Sequence, residues 1–293
     1  MKKFQGTGVA LITPFKKDKS IDFNALERQI SHCIEGGVEY LVVMGTTAEN
    51  PTLDATEKDQ VLKASIEANA GRVPLVYGVG GNHTHALLDQ LKNLPAEGID
   101  ALLSVSPYYN KPTQEGIYQH YRAISSATEL PVILYNVPGR TGSNISAATT
   151  LRLARDCDNI IGVKEASGDM EQVMAIIKDR PDDFLVISGE DNLTLPIIAC
   201  GGDGVISVSG QAFPAVFTEM VRQALKGDLE KARRLHYRLF RVTQLLFAEG
   251  NPGGVKAALE LQNICEAHLR LPLWPVSHET QQAIADEIEK NQL

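Results

Sequence analysis

The chain has 293 residues, 43% of them hydrophobic and 22% charged, with a formal net charge of −8. That balance supplies a large apolar core and argues against disorder, while acidity without any Lys/Arg cluster argues against a nucleic-acid partner and points to small molecules or further copies of the chain. No apolar run approaches the ~20 residues needed to span a bilayer. The short apolar stretch near the amino end is broken by Thr13, Pro14 and Lys16, so neither a signal peptide nor an anchor is expected. Cys33, Cys157, Cys200 and Cys265 lie far apart with no CxxC pair; they read as reduced thiols, and a cytoplasmic location is expected.

Eight short runs rich in Val, Ile and Leu follow one another: 8–15, 40–45, 73–80, 100–107, 131–137, 160–167, 183–190 and 203–210. Such runs suit strands covered on both faces. Between them lie amphipathic stretches such as 22–37, 54–71 and 113–130, which open on Asp or Thr and often close near Gly, as helices do. Eight strand-then-helix units predict a (β/α)8 TIM barrel over 1–227. The rival is an open, doubly wound sheet, but Gly78-Val79-Gly80-Gly81-Asn82 lacks the third glycine of a dinucleotide fingerprint. From 228 to 293 three further amphipathic segments, broken at 251–254 and 271–275, predict a helical appendix packed on the barrel.

In such a barrel the reacting groups close the strands. Lys164 is the most informative, because Ile160-Ile161-Gly162-Val163-Lys164-Glu165-Ala166 sets an amine in a segment patterned for burial. Burial removes the hydration that favours an ammonium, and the neutral amine is a nucleophile for carbonyls. The bland alternative is a lysine paired with Glu165, which the alternation of strand side chains weakens. Tyr135 closes the fifth run, where its hydroxyl could relay protons or simply bond to backbone. Arg140 sits in the turn-rich loop Val137-Pro138-Gly139-Arg140-Thr141-Gly142, suited to a carboxylate or to solvent. Thr46 and Thr47, after the second run, could hold a small carboxylate or cap a helix. Tyr108 and Tyr109 follow the fourth.

Five motifs carry a resemblance that covers the whole chain: Gly8-Val9-Ala10-Leu11-Ile12-Thr13-Pro14-Phe15, Gly45-Thr46-Thr47-Ala48-Glu49, Pro107-Tyr108-Tyr109-Asn110-Lys111-Pro112, Tyr135-Asn136-Val137-Pro138-Gly139-Arg140-Thr141-Gly142 and Gly162-Val163-Lys164-Glu165-Ala166-Ser167. Together they resemble the dihydrodipicolinate synthase (4-hydroxy-tetrahydrodipicolinate synthase) family of pyruvate-dependent, imine-forming aldolases. The resemblance implies an imine between Lys164 and pyruvate, an enamine that attacks L-aspartate 4-semialdehyde, and no separate cofactor or metal. It implies a proton relay of Tyr135, Thr47 and Tyr109, with Tyr109 supplied across a dimer interface. It further implies that Thr46 and Thr47 hold the pyruvate carboxylate and Arg140 that of the semialdehyde, and that Gly189 and Ile206 line the pocket through their backbone. A homotetramer built as a dimer of dimers is expected.

Two departures from the family pattern stand out. Ala48 replaces a usual glycine, which restricts that turn. Ala55, Lys58 and Ala86 stand where lysine-inhibited members carry histidines and a glutamate, so weak or absent inhibition by lysine is expected although Asn82 and Tyr108 are kept. The rival chemistries are a metal site on His83 and His85, which no third strand-end ligand completes; a silent ligand-binding barrel; and another pyruvate aldolase, such as N-acetylneuraminate lyase or a 2-keto-3-deoxy sugar acid aldolase. Arg140 favours the semialdehyde over these hydroxylated aldehydes.

Overall fold

A computed structural model describes residues 2–95 and 97–293. Eight parallel strands close into one barrel in chain order: β1 (Gly6–Ala10), β2 (Tyr40–Val43), β3 (Leu75–Gly80), β4 (Ala101–Val105), β5 (Val132–Asn136), β6 (Ile160–Glu165), β7 (Leu185–Ser188) and β8 (Gly204–Ser207). β1 pairs with β8 through Gly6↔Gly204 to Val9↔Ser207, which removes both sheet edges. The open sheet is thereby excluded.

Side chains alternate between two apolar layers. Tyr40, Leu103, Ile133 and Ile187 fill the barrel, and Phe4 stands edge-on to Tyr40 at its amino-terminal end, with ring centroids 5.7 Å apart. Leu41, Leu102, Leu134 and Val186 face the surrounding helices. Capping follows the expected chemistry. Asp22 accepts from Ala25 N–H, Thr113 from Gly116 N–H, and Asp54 and Glu57 form a reciprocal capping box.

β1 begins two residues before the apolar run, at Gly6 and Thr7. Neither residue announces a strand, yet Thr7 is buried and its N–H donates to the Glu39 carboxylate at 2.7 Å. The end of that run leaves the sheet instead. Ile12 joins a second core, shared by Val205, helix Pro214–Leu225 and the C-terminal helices Leu229–Phe247, Gly253–Leu261 and His278–Asn291.

The C-terminal segment also reaches back to the turn after β2 through charge. Lys256, with no exposed surface, donates to Glu49 at 2.5 Å and to the His268 carbonyl at 2.7 Å. The second Glu49 oxygen accepts from Arg270 N–H at 3.0 Å, and the Arg270 guanidinium forks onto both oxygens of Glu57 at 2.6 and 2.7 Å. Burial pushes the Lys256 amine below the usual lysine value, against the pull of Glu49. Removing one member of so buried a pair strands the other charge. Lys256→Met is expected to lower unfolding stability by about 3–5 kcal/mol, and Glu49→Gln combined with it by less. Urea denaturation of the two single variants and the double checks this; a double variant as unstable as the sum of the singles would contradict it.

Candidate active site

The lysine reaches the barrel interior because of an irregularity in β6. Val132 pairs with Ile160, but Ile133 pairs with Gly162, so Ile161 is an extra residue in the ladder. A one-residue slip reverses which face every later side chain occupies. Downstream of it Val163 pairs with Leu134, both in the layer under the helices, and Lys164 pairs with Tyr135, which belongs to the barrel interior. Gly162 permits this packing, since a Cβ there would lie 2.7 Å from the Leu185 carbonyl oxygen.

Lys164 is 5% exposed, and its Nζ lies 4.4 Å from the centroid of the Tyr135 ring. Glu165 is not its partner. That carboxylate faces the other way and accepts from Asn136 at 3.0 and 3.1 Å, from Ser167 N–H at 2.8 Å and from Gln172 at 2.9 Å. Lys164 takes part in none of the ion pairs found among the described residues. The aromatic face beside it offers an amine favourable contact without a full counter-charge.

Opposite stands the turn Thr46–Ala48. Thr13 Oγ1 donates to the Ala48 carbonyl at 2.7 Å, fixing the turn to the segment after β1, and Asn251 Nδ2 donates to Thr47 Oγ1 at 2.9 Å. Ala48 adopts the right-handed turn and needs no positive φ; Met44 (φ 59°) and Glu49 (φ 55°) take the left-handed positions instead. The alanine therefore leaves the turn unstrained at its own position.

Between these elements lies a cavity of about 360 Å³, walled by Thr46, Thr47, Tyr135, Arg140, Lys164 and Gly189. Gly189 lies so close to β6 that a Cβ would meet that of Ala166 at 2.5 Å. Arg140, on the single helical turn Pro138–Thr141, is exposed at the rim. Three further wall residues, Glu190, Phe247 and Asn251, belong to none of the five motifs. Glu190 immediately follows Gly189. Although the residue keeps exposed surface, partial burial of its carboxyl holds the pKa above the usual range, with Asp191 adding to the rise and Lys164 and Arg140 opposing it. Phe247 ends the helix Leu229–Phe247 and Asn251 lies in the turn after it, where the pattern offered only a helix end and a break.

Two expected site residues stand apart from this wall. Ile206 is buried in the barrel interior, paired with Gly8, and Val208 takes the corresponding place on the cavity. Tyr109 is 88% exposed at φ 70°, held by its N–H to the Thr141 carbonyl at 3.3 Å, and its side chain points away from its own cavity.

A second lobe of about 340 Å³ shares Thr46, Tyr135 and Arg140 with the first and extends to Lys58 and Tyr108. Asn82 donates to the Tyr108 carbonyl at 3.1 Å. Burial lowers the Lys58 amine, and Asp54 partly offsets this. His83 and His85 lie exposed at the start of helix Thr84–Lys92, away from both lobes.

The dihydrodipicolinate synthetase family profile matches residues 3–291. The 4-hydroxy-tetrahydrodipicolinate synthase of Flavobacterium psychrophilum is 53% identical over 279 residues, covering 95% of each chain. The crystal structure of dihydrodipicolinate synthase from Thermotoga maritima superposes with a TM-score of 0.96 at 40% identity, covering 99% of both chains. That of the chloride-inhibited enzyme from Acinetobacter baumannii, complexed with pyruvate, gives 0.95 at 39% identity over 98% of this chain and 99% of that one. With family, length and barrel in agreement, this chain belongs to the dihydrodipicolinate synthetase family.

Proposed function

We propose that the protein condenses pyruvate with L-aspartate 4-semialdehyde to give 4-hydroxy-tetrahydrodipicolinate, entering diaminopimelate and lysine biosynthesis. The observation that carries this reading is a buried amine, Lys164, set on a cavity wall beside Tyr135 with no ion-pair partner among the described residues, and with Arg140 at the rim.

The Lys164 amine adds to C2 of pyruvate and water leaves, forming an imine. Loss of a C3 proton gives the enamine, and C3 then bonds to the aldehyde carbon of the semialdehyde while its oxygen takes a proton. The amino group of the bound semialdehyde attacks C2, closing the ring and releasing Lys164. Tyr135 and Thr47 lie on the wall where protons must move. Thr46 offers its hydroxyl and backbone to the pyruvate carboxylate. Arg140 suits the carboxylate of the second substrate, which a hydroxylated sugar aldehyde lacks at that place.

The outward Tyr109 belongs, in this reading, to the relay of a neighbouring copy, so the working enzyme is at least a dimer and is read as a tetramer. Among the described residues no helix is long and apolar enough to cross a membrane. A cytoplasmic setting fits the biosynthetic role and the unpaired cysteines.

Pyruvate consumption with the semialdehyde, measured beside N-acetylmannosamine as competing acceptor, tests the substrate assignment; equal use of the sugar would overturn it. Arg140→Ala is expected to raise KM for the semialdehyde about 10–100-fold while leaving KM for pyruvate nearly unchanged, given the worth of a charge-assisted hydrogen bond. Millimolar L-lysine is expected to inhibit weakly or not at all. Strong inhibition would contradict the reading of Ala55, Lys58 and Ala86.

A further inference from the structure

One ionisable group on the cavity wall has no part in the steps above. Glu190 follows Gly189 just after β7 and is the only carboxylate among the described residues that line the lobe holding Lys164. Its backbone is fixed: the N–H donates to Ser188 Oγ at 3.2 Å, and the carbonyl accepts from Ser188 Oγ at 2.9 Å and from Thr194 Oγ1 at 3.1 Å. Its side chain keeps exposed surface, and among the described residues the carboxylate takes part in no hydrogen bond or ion pair. The next residue is different. Asp191 is buried and committed to the turn after β8, accepting from Val208 N–H at 3.2 Å and from Ser209 N–H at 2.7 Å. Lys164 and Arg140, on the same wall as Glu190, both lie near enough to pull its pKa down against partial burial.

Ring closure needs such a group. The α-amino group of the semialdehyde is an ammonium at neutral pH and has no lone pair until it loses a proton. Lys164 is then tied up as the imine, and Arg140 is a permanent cation, so neither can take that proton; a free carboxylate can. We infer that Glu190 receives the ammonium of the semialdehyde and takes its proton as the ring closes, while Arg140 holds the carboxylate of the same molecule. This rests on the assignment of the second substrate given above.

The step balances from the neutral imine that remains once the aldehyde oxygen is protonated. One ammonium proton passes to the Glu190 carboxylate, and the freed lone pair bonds to C2. The other two protons move to the Lys164 nitrogen as its bond to C2 breaks. Lys164 leaves as a neutral amine, the ring keeps a double bond between C2 and nitrogen, and Glu190 is left protonated. The same charge also selects for an aldehyde acid that carries an amino group, since an opposite charge facing the ammonium favours it over an analogue without one.

Glu190→Gln tests this, because it keeps the side-chain shape and removes the charge. With L-aspartate 4-semialdehyde, kcat/KM is expected to fall about 100-fold, in the range of general acid–base contributions. The pyruvate adduct trapped on Lys164 by borohydride should form undiminished, which also shows that the variant is folded. Succinate semialdehyde, which has the aldehyde and the carboxylate but no amino group, supplies the deciding readout: its inhibition constant should be nearly the same for variant and parent. An equal weakening of this analogue would show that Glu190 acts on Arg140 or on the pocket's shape and would overturn the inference, as would full activity of Glu190→Gln or loss of its Lys164 adduct. A parent protein that forms no adduct, or does not consume L-aspartate 4-semialdehyde, would instead sink the functional reading on which the inference rests.

Discussion

A lysine side chain inside a closed barrel is a costly thing to fold around, and the rest of the site is arranged about that cost. A buried ammonium is normally relieved by a carboxylate, as Lys256 is by Glu49. Lys164 has no such partner among the described ion pairs; it has the face of Tyr135 at 4.4 Å and an open cavity. The contrast separates two buried lysines chemically. Lys256 is enclosed and hydrogen-bonded to two oxygens, so its nitrogen is taken up by structure. Lys164 lies on the cavity wall, so its nitrogen is open to a carbonyl that enters the cavity.

That arrangement depends on features far apart in the chain. The bulge at Ile161 turns Lys164 inward, and Gly162 and Gly189 let the β6 and β7 segments approach closely. The turn Thr46–Ala48 is held from one side by Thr13 and from the other by Asn251, while Glu49 beside it is gripped by Lys256 and Arg270. The C-terminal helices are thus part of the site's wall and of its support. A catalytic hydroxyl gains its precision from such supporting contacts, because a displacement of about 1 Å costs a large factor in rate.

Much of this was legible from sequence where burial leaves a compositional trace. Parallel strands covered on both faces read as apolar runs, and all eight runs contain their strands except at the start of β1, where Gly6 and Thr7 carry no apolar signal. Lys164 stood out because an amine contradicts its surroundings. The bulge did not, since Ile160-Ile161 looks like any buried pair and only the ladder to β5 exposes the extra residue. Asn251 was visible only as a break before Pro252, because its contact to Thr47 joins positions about two hundred apart in sequence. Ile206 and Tyr109 carry roles drawn from the resemblance, and in a single chain one sits behind the cavity wall and the other points outward.

The most direct test of the account is to reduce the protein with borohydride in the presence of pyruvate and map the adduct by peptide mass. A single pyruvate-derived adduct on Lys164, depleted when the semialdehyde is added first, is the expected result. No adduct, or one on Lys58 or Lys256 with Lys164 untouched, would contradict the claim that the unpaired buried amine is the reacting group.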